Sequence, residues 1–350
     1  MNPIYAKSIV DSTQLNTRHE WFQQKEQLVD GVEVLLLSRD FKDLKTTEKI
    51  LLEAKRKFGR IALEMPDCVD GKGIDPVSHE ALIRACSKDN LDEFVKLSEA
   101  VGADYAQYQL MRENFGEDGM PASAGEGLRL LIELRKYHHD ELVRKTEIPL
   151  QMENTIPLNP SGHADKISEL HYEPNTTRVM DFQFSGIPLA YDTAHAMSAA
   201  YTYFRALSTD LFKKHGKNGN GIVFRPVETE IGTCYTETTR ADIITTDLIK
   251  NELAQGRRMQ DALTYVIIHE LANSDLIRSV QLQNAINFGI SHGDHGRVEG
   301  WLDLEKICKA IPKGVPIIPE VTEDSRENYE HNPVNQRKLL KRMHRWLETA

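Results

Sequence analysis

Short apolar runs alternate with longer amphipathic segments along this chain, and the alternation limits its possible folds more than any other feature. The runs have the length of buried strands, and the segments between them have the length of helices. Repeated β-α units of this kind build a parallel sheet, and eight units close most economically into a (β/α)8 barrel. The predicted strands cover 3–10, 32–38, 60–65, 103–110, 148–153, 187–191, 279–286 and 315–321.

Two segments fall outside this repeat. Residues 222–238 are rich in Thr, Val, Ile and Tyr, and we predict a hairpin-like insertion there, within a barrel spanning 1–325. Residues 326–350 are predicted to form a polar linker and a basic amphipathic C-terminal helix. This helix packs on the barrel or on a partner subunit, and the second arrangement would make the protein a homo-oligomer. The predicted fold class is therefore α/β, a single TIM barrel with an inserted hairpin and a C-terminal helix.

The charge and cysteine content restrict the kind of partner and compartment. With 53 acidic and 43 basic residues among 350, the net charge is −10, which argues against a large phosphate-binding surface and favours a small-molecule substrate. The four cysteines form no C-x-x-C pair, so neither a disulfide framework nor a thiolate zinc site is expected. No apolar run approaches the roughly 18 residues of a membrane span, and no signal-peptide core is present. We therefore expect a cytoplasmic protein.

The stretch IPLAYDTAHAMSAAY at 187–201 joins a predicted strand to a predicted helix at 197–214. Asp192 and His195 lie at this junction, so a carboxylate and an imidazole can face the same open strand end. Oxygen and nitrogen donors in such a place suit Mn, Mg or Zn. In the alternative interpretation, Asp192 only caps the helix and His195 is a satisfied turn residue.

Polar side chains recur at the ends of the other predicted strands, where a barrel of this kind gathers its active site. The residues at or near these ends are Glu64, Gln109, Glu153, Asp192, His195, Gln281, Gln283 and Glu320. Each carboxylate taken singly is equally well explained as a helix cap or an ion-pair partner. Burying several carboxylates together costs several kcal/mol unless a cation neutralises them, so the group predicts a metal ion or a shared proton.

The segment SHGDHGRVEG at 291–300 follows the seventh predicted strand and is rich in glycine and titratable groups. His292 and His295 can bind substrate or move protons, Asp294 can ligate a metal, and Arg297 can hold an anionic or hydroxyl-rich substrate. We predict a substrate-facing loop. The alternative is a glycine-rich surface turn whose histidines are incidental.

Several familiar motifs are absent or incomplete. Residues 269–273 begin like H-E-x-x-H but end in Asn273, so a zinc protease is not indicated. The chain has no phosphate-binding P-loop, dinucleotide fingerprint or G-x-S-x-G motif. His138 and His139 lie on a predicted polar helix, and we expect both to be solvated.

Three segments resemble motifs of the xylose isomerase-like barrel superfamily, which includes sugar isomerases and epimerases and endonuclease IV. They are PLQMENT at 149–155, YDTAHAMSAAY at 191–201 and VEGWLDLEKI at 298–307, and the likeness is strongest over 148–321. The resemblance implies that Glu153, Asp192 and Glu320 ligate a metal ion. It implies that His195 is a second ligand or a substrate contact.

Departures from the family patterns separate its branches. Endonuclease IV binds three zinc ions with histidines on strands that correspond here to 60–65, 103–110 and 279–286, where this chain has Glu64, Gln109 and Gln281. Sugar epimerases of the family hold one divalent ion with Glu, Asp, His and Glu on the fifth to eighth strands. This chain offers Gln281 in place of that histidine, and an amide oxygen suits Mn or Mg better than Zn. Loss of the metal site is a third alternative.

The resulting functional prediction is a metal-dependent sugar or sugar-phosphate isomerase or epimerase with a carbohydrate-like substrate. In this scheme Glu153, Glu320 and His195 serve catalysis. The predicted metal ligands are Glu153, Asp192, Gln281, Glu320 and Asp294, and the predicted substrate contacts are His195, Gln109, His292, His295 and Arg297. The alternatives are an endonuclease IV-like phosphodiesterase acting on nucleic acid and a non-catalytic barrel that binds a ligand or partner.

Overall fold

Eight parallel strands form the central sheet of the computed structural model and run in sequence order around a nearly closed barrel. The strands are β1 (Tyr5–Ile9), β2 (Gly31–Leu35), β3 (Ile61–Glu64), β4 (Ala106–Tyr108), β5 (Leu150–Glu153), β6 (Leu189–Asp192), β7 (Ile277–Leu282) and β8 (Ile317–Pro319). The structure describes residues 2–66, 68–69, 72–73, 81–108, 136–154, 186–208, 224–229, 232–237, 240–286, 295–322 and 332–349. The predicted (β/α)8 barrel is confirmed.

Helices lie between the strands and pack their apolar faces on them. They are α1 (Ser12–Arg18), α2 (Leu44–Phe58), α3 (Ala81–Val101), α4 (Thr193–Ser208), α5 (Arg240–Ala254), α6 (Met259–Asn273), α7 (Leu304–Ala310) and α8 (Pro333–Glu348). A further helix covers 136–143. Local signals set their ends: Asp43 caps α2 by accepting from the Thr46 N–H at 3.1 Å, and Gly59 ends it with φ of 76°.

β1 and β2 pair over their full length. The barrel is closed between β8 and β1 by a single backbone bridge. Ile4 and Ile317 form an isolated parallel bridge, in which the Ile317 N–H donates to the Pro3 carbonyl at 2.9 Å. Toward the carboxyl ends the seam is filled by Gln336 of α8, whose Nε2 donates to the Lys7 and Pro319 carbonyls at 3.1 and 3.0 Å. The C-terminal helix is thus packed on the barrel.

The barrel interior is layered. Nearest the amino ends of the strands, Tyr5, Ala62, Tyr105 and Ile318 form a small apolar cluster separate from the main core. Because side chains alternate between faces with a period of two, Lys7, Glu64, Gln107 and Glu320 point into the same interior one step further toward the carboxyl ends. Above the apolar floor, the barrel is therefore filled with buried polar groups.

Two local predictions are wrong, and the first helix is irregular. α1 ends at Arg18 and a π-helix, His19–Lys25, follows, so that Arg18 and Phe22 are both buried. The helix expected at 197–214 begins at Thr193, immediately after β6. His139 is only 3% exposed and its Nδ1 lies 2.9 Å from Tyr108 Oη, because its helix packs this face on the barrel.

The predicted hairpin is present as two antiparallel strands, Phe224–Thr229 and Gly232–Glu237. That this hairpin is an insertion in a barrel covering 1–325, with a linker from 326, remains a prediction. A smaller antiparallel pair, Cys68–Val69 with Lys72–Gly73, follows β3. None of the helices in the described part of the chain has the length and hydropathy to cross a membrane.

Candidate active site

Glu153, Asp192 and His195 converge at the carboxyl ends of β5 and β6. One potential ligand atom from each lies within 4.8 Å of the other two, and all three side chains are buried. His195 Nδ1 is 3.2 Å from Glu153 Oε1 and 3.9 Å from Asp192 Oδ1. This is the one group of at least three His, Cys, Asp or Glu residues with metal-ligand spacing within the described ranges.

The geometry of this trio follows from the direct passage of β6 into α4. Asp192 is the last residue of the strand and also caps the helix, because its Oδ1 accepts from the His195 N–H at 2.7 Å. Asn154 links β5 to β6 by accepting from the Asp192 N–H at 2.6 Å and donating Nδ2 to the Asp192 carbonyl at 3.0 Å. The Asn154 carbonyl also lies 2.8 Å from His195 Nδ1. Asp192 therefore caps α4 and also lies within metal-ligand spacing of Glu153 and His195.

Gln283 holds the second carboxylate oxygen of Asp192. Its Nε2 donates to Asp192 Oδ2, and its Oε1 accepts from the Gly296 N–H at 2.5 Å. The sequence placed Gln283 at this strand end without assigning it a role, and it gave no role to Asn154. Both residues would orient metal-ligating groups without touching the ion themselves.

The segment after β7 reaches the same place. The rings of His295 and His195 are 5.2 Å apart, and Arg297 pairs with Asn284 in an antiparallel bridge. Gly296 has φ of 68°, which a glycine adopts without strain. His295 is thus brought to the trio, whereas the predicted positions His292 and Asp294 lie outside the described residues.

A second polar cluster surrounds Lys7, a residue that the sequence analysis did not select. Lys7 is fully buried, and its Nζ donates to Glu33 Oε1 at 2.7 Å and to Glu64 Oε2. Glu320 Oε2 lies 3.6 Å from the same Nζ. The expected alternatives for a buried carboxylate group were a metal ion or a shared proton, and the structure adds a buried lysine.

Amide side chains connect the Lys7 cluster to the strands that carry the trio. Gln107 Nε2 and Gln281 Nε2 both donate to Glu64 Oε2, at 2.8 and 3.0 Å. Gln151 Nε2 crosses the interior to Ser279 Oγ at 2.7 Å. Gln107, on β4, is the glutamine that reaches the interior network, and the predicted substrate contact Gln109 lies outside the described residues.

The pKa values of the buried acids are shifted toward the protonated form. Burial raises the pKa of Glu153 and raises that of Glu320 to about 7, although Lys7 opposes the second shift. Burial also raises the pKa of Glu64, against the opposing charge of Lys7. Burial lowers the pKa of His195, but the Asp192 and Glu153 carboxylates outweigh it and bring the value to about 9. Burial therefore favours the neutral form of these three acids, and a cation beside them would favour the charged form.

The residues present fit a divalent metal ion. Two carboxylates and one imidazole form a nitrogen and oxygen donor set suited to Mn, Mg or Zn. Gln281 is fully buried, and its Oε1 accepts no hydrogen bond from the described residues. Gln281 is paired with Asp192 in the β6–β7 register. An amide oxygen that could ligate a metal ion, and that accepts no hydrogen bond from the described residues, therefore adjoins the trio.

Comparisons with known proteins agree with this architecture. No family model matches the chain, and no curated protein sequence matches it. Among solved structures, a D-tagatose 3-epimerase-like protein aligns with TM-score 0.54 and 10% identity over 99% of this chain and 97% of its own. An L-ribulose 3-epimerase aligns with TM-score 0.52 and 12% identity over 100% and 98%. Endonuclease IV from Thermus thermophilus aligns with TM-score 0.50 and 12% identity over 100% of both chains.

At these identities the likeness establishes the fold and leaves the reaction open. The three structures belong to different branches, since two are epimerases or epimerase-like and one is a nuclease by name. All of them match over nearly the whole chain rather than over a part of it. This chain has the fold of the xylose isomerase-like TIM barrels.

Proposed function

We propose that this protein is a metal-dependent sugar or sugar-phosphate isomerase or epimerase. The observation that carries the proposal is the buried trio Glu153, Asp192 and His195 at the carboxyl ends of the strands. Epimerases of small keto sugars among the structural neighbours support a carbohydrate-like substrate. The acidic net charge of −10 is also consistent with a small substrate rather than nucleic acid.

In this proposal Asp192, Glu153, Gln281 and Glu320 hold one divalent ion, with Mn or Mg favoured because all four donor atoms are oxygens. Asp294 remains a predicted ligand. When bound, the ion would polarise the carbonyl of a keto sugar and so acidify the hydrogen on the neighbouring carbon.

The remaining chemistry is proton transfer by this chain's own carboxyl groups. Glu153 and Glu320 remove and return the proton on the carbon next to the carbonyl. Burial raises the pKa of both carboxyl groups, and that of Glu320 to about 7, where a group can both accept and donate a proton at neutral pH. His195, beside Glu153, and His295, whose ring lies near that of His195, contact the substrate hydroxyls, with Arg297 as a further contact. Gln109 and His292 remain predicted contacts.

Solvent deuterium incorporation tests this reaction class whatever the identity of the sugar. A panel of ketopentoses and ketohexoses, free and phosphorylated, is incubated with the protein and Mn²⁺ in D₂O and followed by NMR. We expect deuterium at the carbon next to the carbonyl of at least one member, and loss of incorporation in Glu153→Gln and Glu320→Gln. Glu53→Gln, which changes a carboxylate that pairs with Lys57 on the surface, serves as the control and should retain activity.

Each of the two alternative functions predicts a different result from the proposed function, and both can be tested on the same protein preparation. An endonuclease IV-like enzyme would incise duplex DNA carrying an abasic site at low salt with Zn²⁺ or Mn²⁺, and we expect no incision. A non-catalytic barrel would exchange no deuterium with any sugar. Robust incision, or an absence of exchange across the panel, would contradict the proposal. A cytoplasmic location and homo-oligomerisation remain predictions from the sequence.

A further inference from the structure

The buried Lys7 cluster lies beside the candidate metal centre but has a different electrostatic arrangement. Carboxylate oxygens from three places surround Lys7 Nζ. Glu33 Oε1 on β2 lies 2.7 Å from it, Glu64 Oε2 on β3 accepts a hydrogen bond from it, and Glu320 Oε2 just after β8 lies 3.6 Å from it. Lys7 and Glu33 are both 0% exposed. Oxygens that converge from three strands on one point are the environment of a hard cation, and here the point is occupied by an ammonium group.

Both oxygens of Glu33 and the Oε2 of Glu64 already accept hydrogen bonds, whereas Glu320 Oε2 accepts none from the described residues. Glu64 Oε2 receives the Lys7 ammonium and the amides of Gln107 and Gln281. Glu33 Oε2 receives the Tyr105 hydroxyl at 2.7 Å, while its Oε1 receives Lys7. A metal ion at Glu64 would have to displace an ammonium and two amide donors from one oxygen, whereas Asp192 accepts from the His195 N–H and from Gln283 with one oxygen each.

The trio Glu153, Asp192 and His195 differs from the Lys7 cluster in the cationic groups that lie near its carboxylates. Glu153 and Asp192 have only the His195 imidazole as a nearby cationic group within hydrogen-bonding or ion-pair range in the described structure. Gln281 joins the two clusters, since it gives its Nε2 to Glu64 and leaves Oε1 without a donor from the described residues. The interior therefore contains one cation position that the chain fills itself and one that it leaves to an exchangeable ion.

We infer that Lys7 is a built-in substitute for a second metal ion, and that it restricts this barrel to a single exchangeable divalent cation. Lys7 is a positioning residue in this account, because it fixes Glu33, Glu64 and Glu320 and touches no substrate. The inference deepens the proposed function, which requires one ion held by Glu153, Asp192, Gln281 and Glu320. Removing the ammonium while keeping the carboxylates should open a second cation site at the position of Nζ.

Metal counting tests the inference, with Mn²⁺ as the only probe. Wild type and Lys7→Gln are dialysed against Mn²⁺ and their bound metal is measured by mass spectrometry. We expect Lys7→Gln to bind one ion per chain more than wild type. The charge-balanced variant Lys7→Gln/Glu64→Gln should return to the wild-type count. Lys55→Gln removes a lysine that pairs with Asp104 outside this cluster, and it should leave the count unchanged.

The outcomes separate the inference from the proposed function. If wild type binds no ion, the proposed function fails, but an additional ion in Lys7→Gln would still support the role of Lys7. Equal counts in wild type and Lys7→Gln would overturn the inference. If Lys7→Gln does not fold, Glu64→Gln decides: an unchanged count supports the inference, and the loss of one ion would show that Glu64 is a metal ligand and overturn it.

Discussion

Gly296 should be the position at which the smallest side-chain change damages the candidate site. It has φ of 68°, and a Cβ placed on it would overlap Thr322 Oγ1 and lie 2.8 Å from the Thr322 backbone nitrogen. Its N–H donates to Gln283 Oε1, and Gln283 in turn holds Asp192. An alanine at 296 must therefore move the backbone, and the movement is transmitted to a predicted metal ligand through a single glutamine.

The chain provides a matched control in Gly186. This glycine also has φ of 68°, but a Cβ on it meets nothing within 4 Å. Gly186→Ala therefore measures the cost of the left-handed backbone alone, which is about 1 kcal/mol. Gly296→Ala carries the same cost plus overpacking against Thr322 of about 1–3 kcal/mol, so its total should be about 2–4 kcal/mol.

Urea unfolding and Mn²⁺ calorimetry on both variants test this reasoning. We expect Gly296→Ala to be the less stable variant and to bind Mn²⁺ about 10-fold or more weakly than wild type, since groups that orient metal ligands typically contribute about that much. Gly186→Ala should keep wild-type affinity. Equal destabilisation of the two variants would refute the steric part of the argument, and wild-type Mn²⁺ affinity in Gly296→Ala would refute the connection through Gln283.

Further predictions concern the packing around the barrel. Burial lowers the pKa of His139 to about 4, so between pH 6.5 and 4 this histidine binds more protons in the unfolded chain than in the folded one, and it contributes a loss of up to about 3 kcal/mol of stability as pH falls through that window. His139→Gln should flatten this decline in urea unfolding curves measured at each pH; parallel curves would contradict it. Gln336→Leu should destabilise the protein by about 1–3 kcal/mol, because the Lys7 and Pro319 carbonyls lose a donor at the barrel seam. An unchanged unfolding midpoint would show that water replaces the amide.

The features that depend on local pattern were predictable from the sequence. The two antiparallel strands Phe224–Thr229 and Gly232–Glu237 lie within 222–238, where the Thr, Val, Ile and Tyr content predicted a hairpin. The proximity of Glu153 and Asp192 follows from parallel strands that end at one edge of the barrel. His195 follows from its spacing to Asp192 across a strand-to-helix junction. These inferences need only the period of the strands and the direction of the sheet.

The features that depend on barrel closure were not predictable. Lys7 lies in a fully buried first strand, and its burial is acceptable because Glu33 and Glu64 face it from the next two strands of the barrel. The residues around Lys7 in the sequence do not indicate that Glu33 and Glu64 will face it. Gln107 was not selected either, because its contact with Glu64 joins two strands that are distant in the sequence. The π-helix after α1 accompanies the burial of Arg18, whose Nε donates to the Lys7 carbonyl of β1 at 2.6 Å.

The central claim is that Asp192 binds a metal ion and does not merely cap α4. Asp192→Asn tests it against Asp303→Asn, because Asp303 also caps a helix, accepting from the Lys306 N–H at 3.2 Å. Asparagine is as good a cap as aspartate, so both variants should keep their helices. In calorimetric titrations with Mn²⁺, we predict that Asp192→Asn weakens binding by about 10-fold to 100-fold and Asp303→Asn leaves it unchanged. Equal Mn²⁺ affinity in wild type and Asp192→Asn would contradict the account.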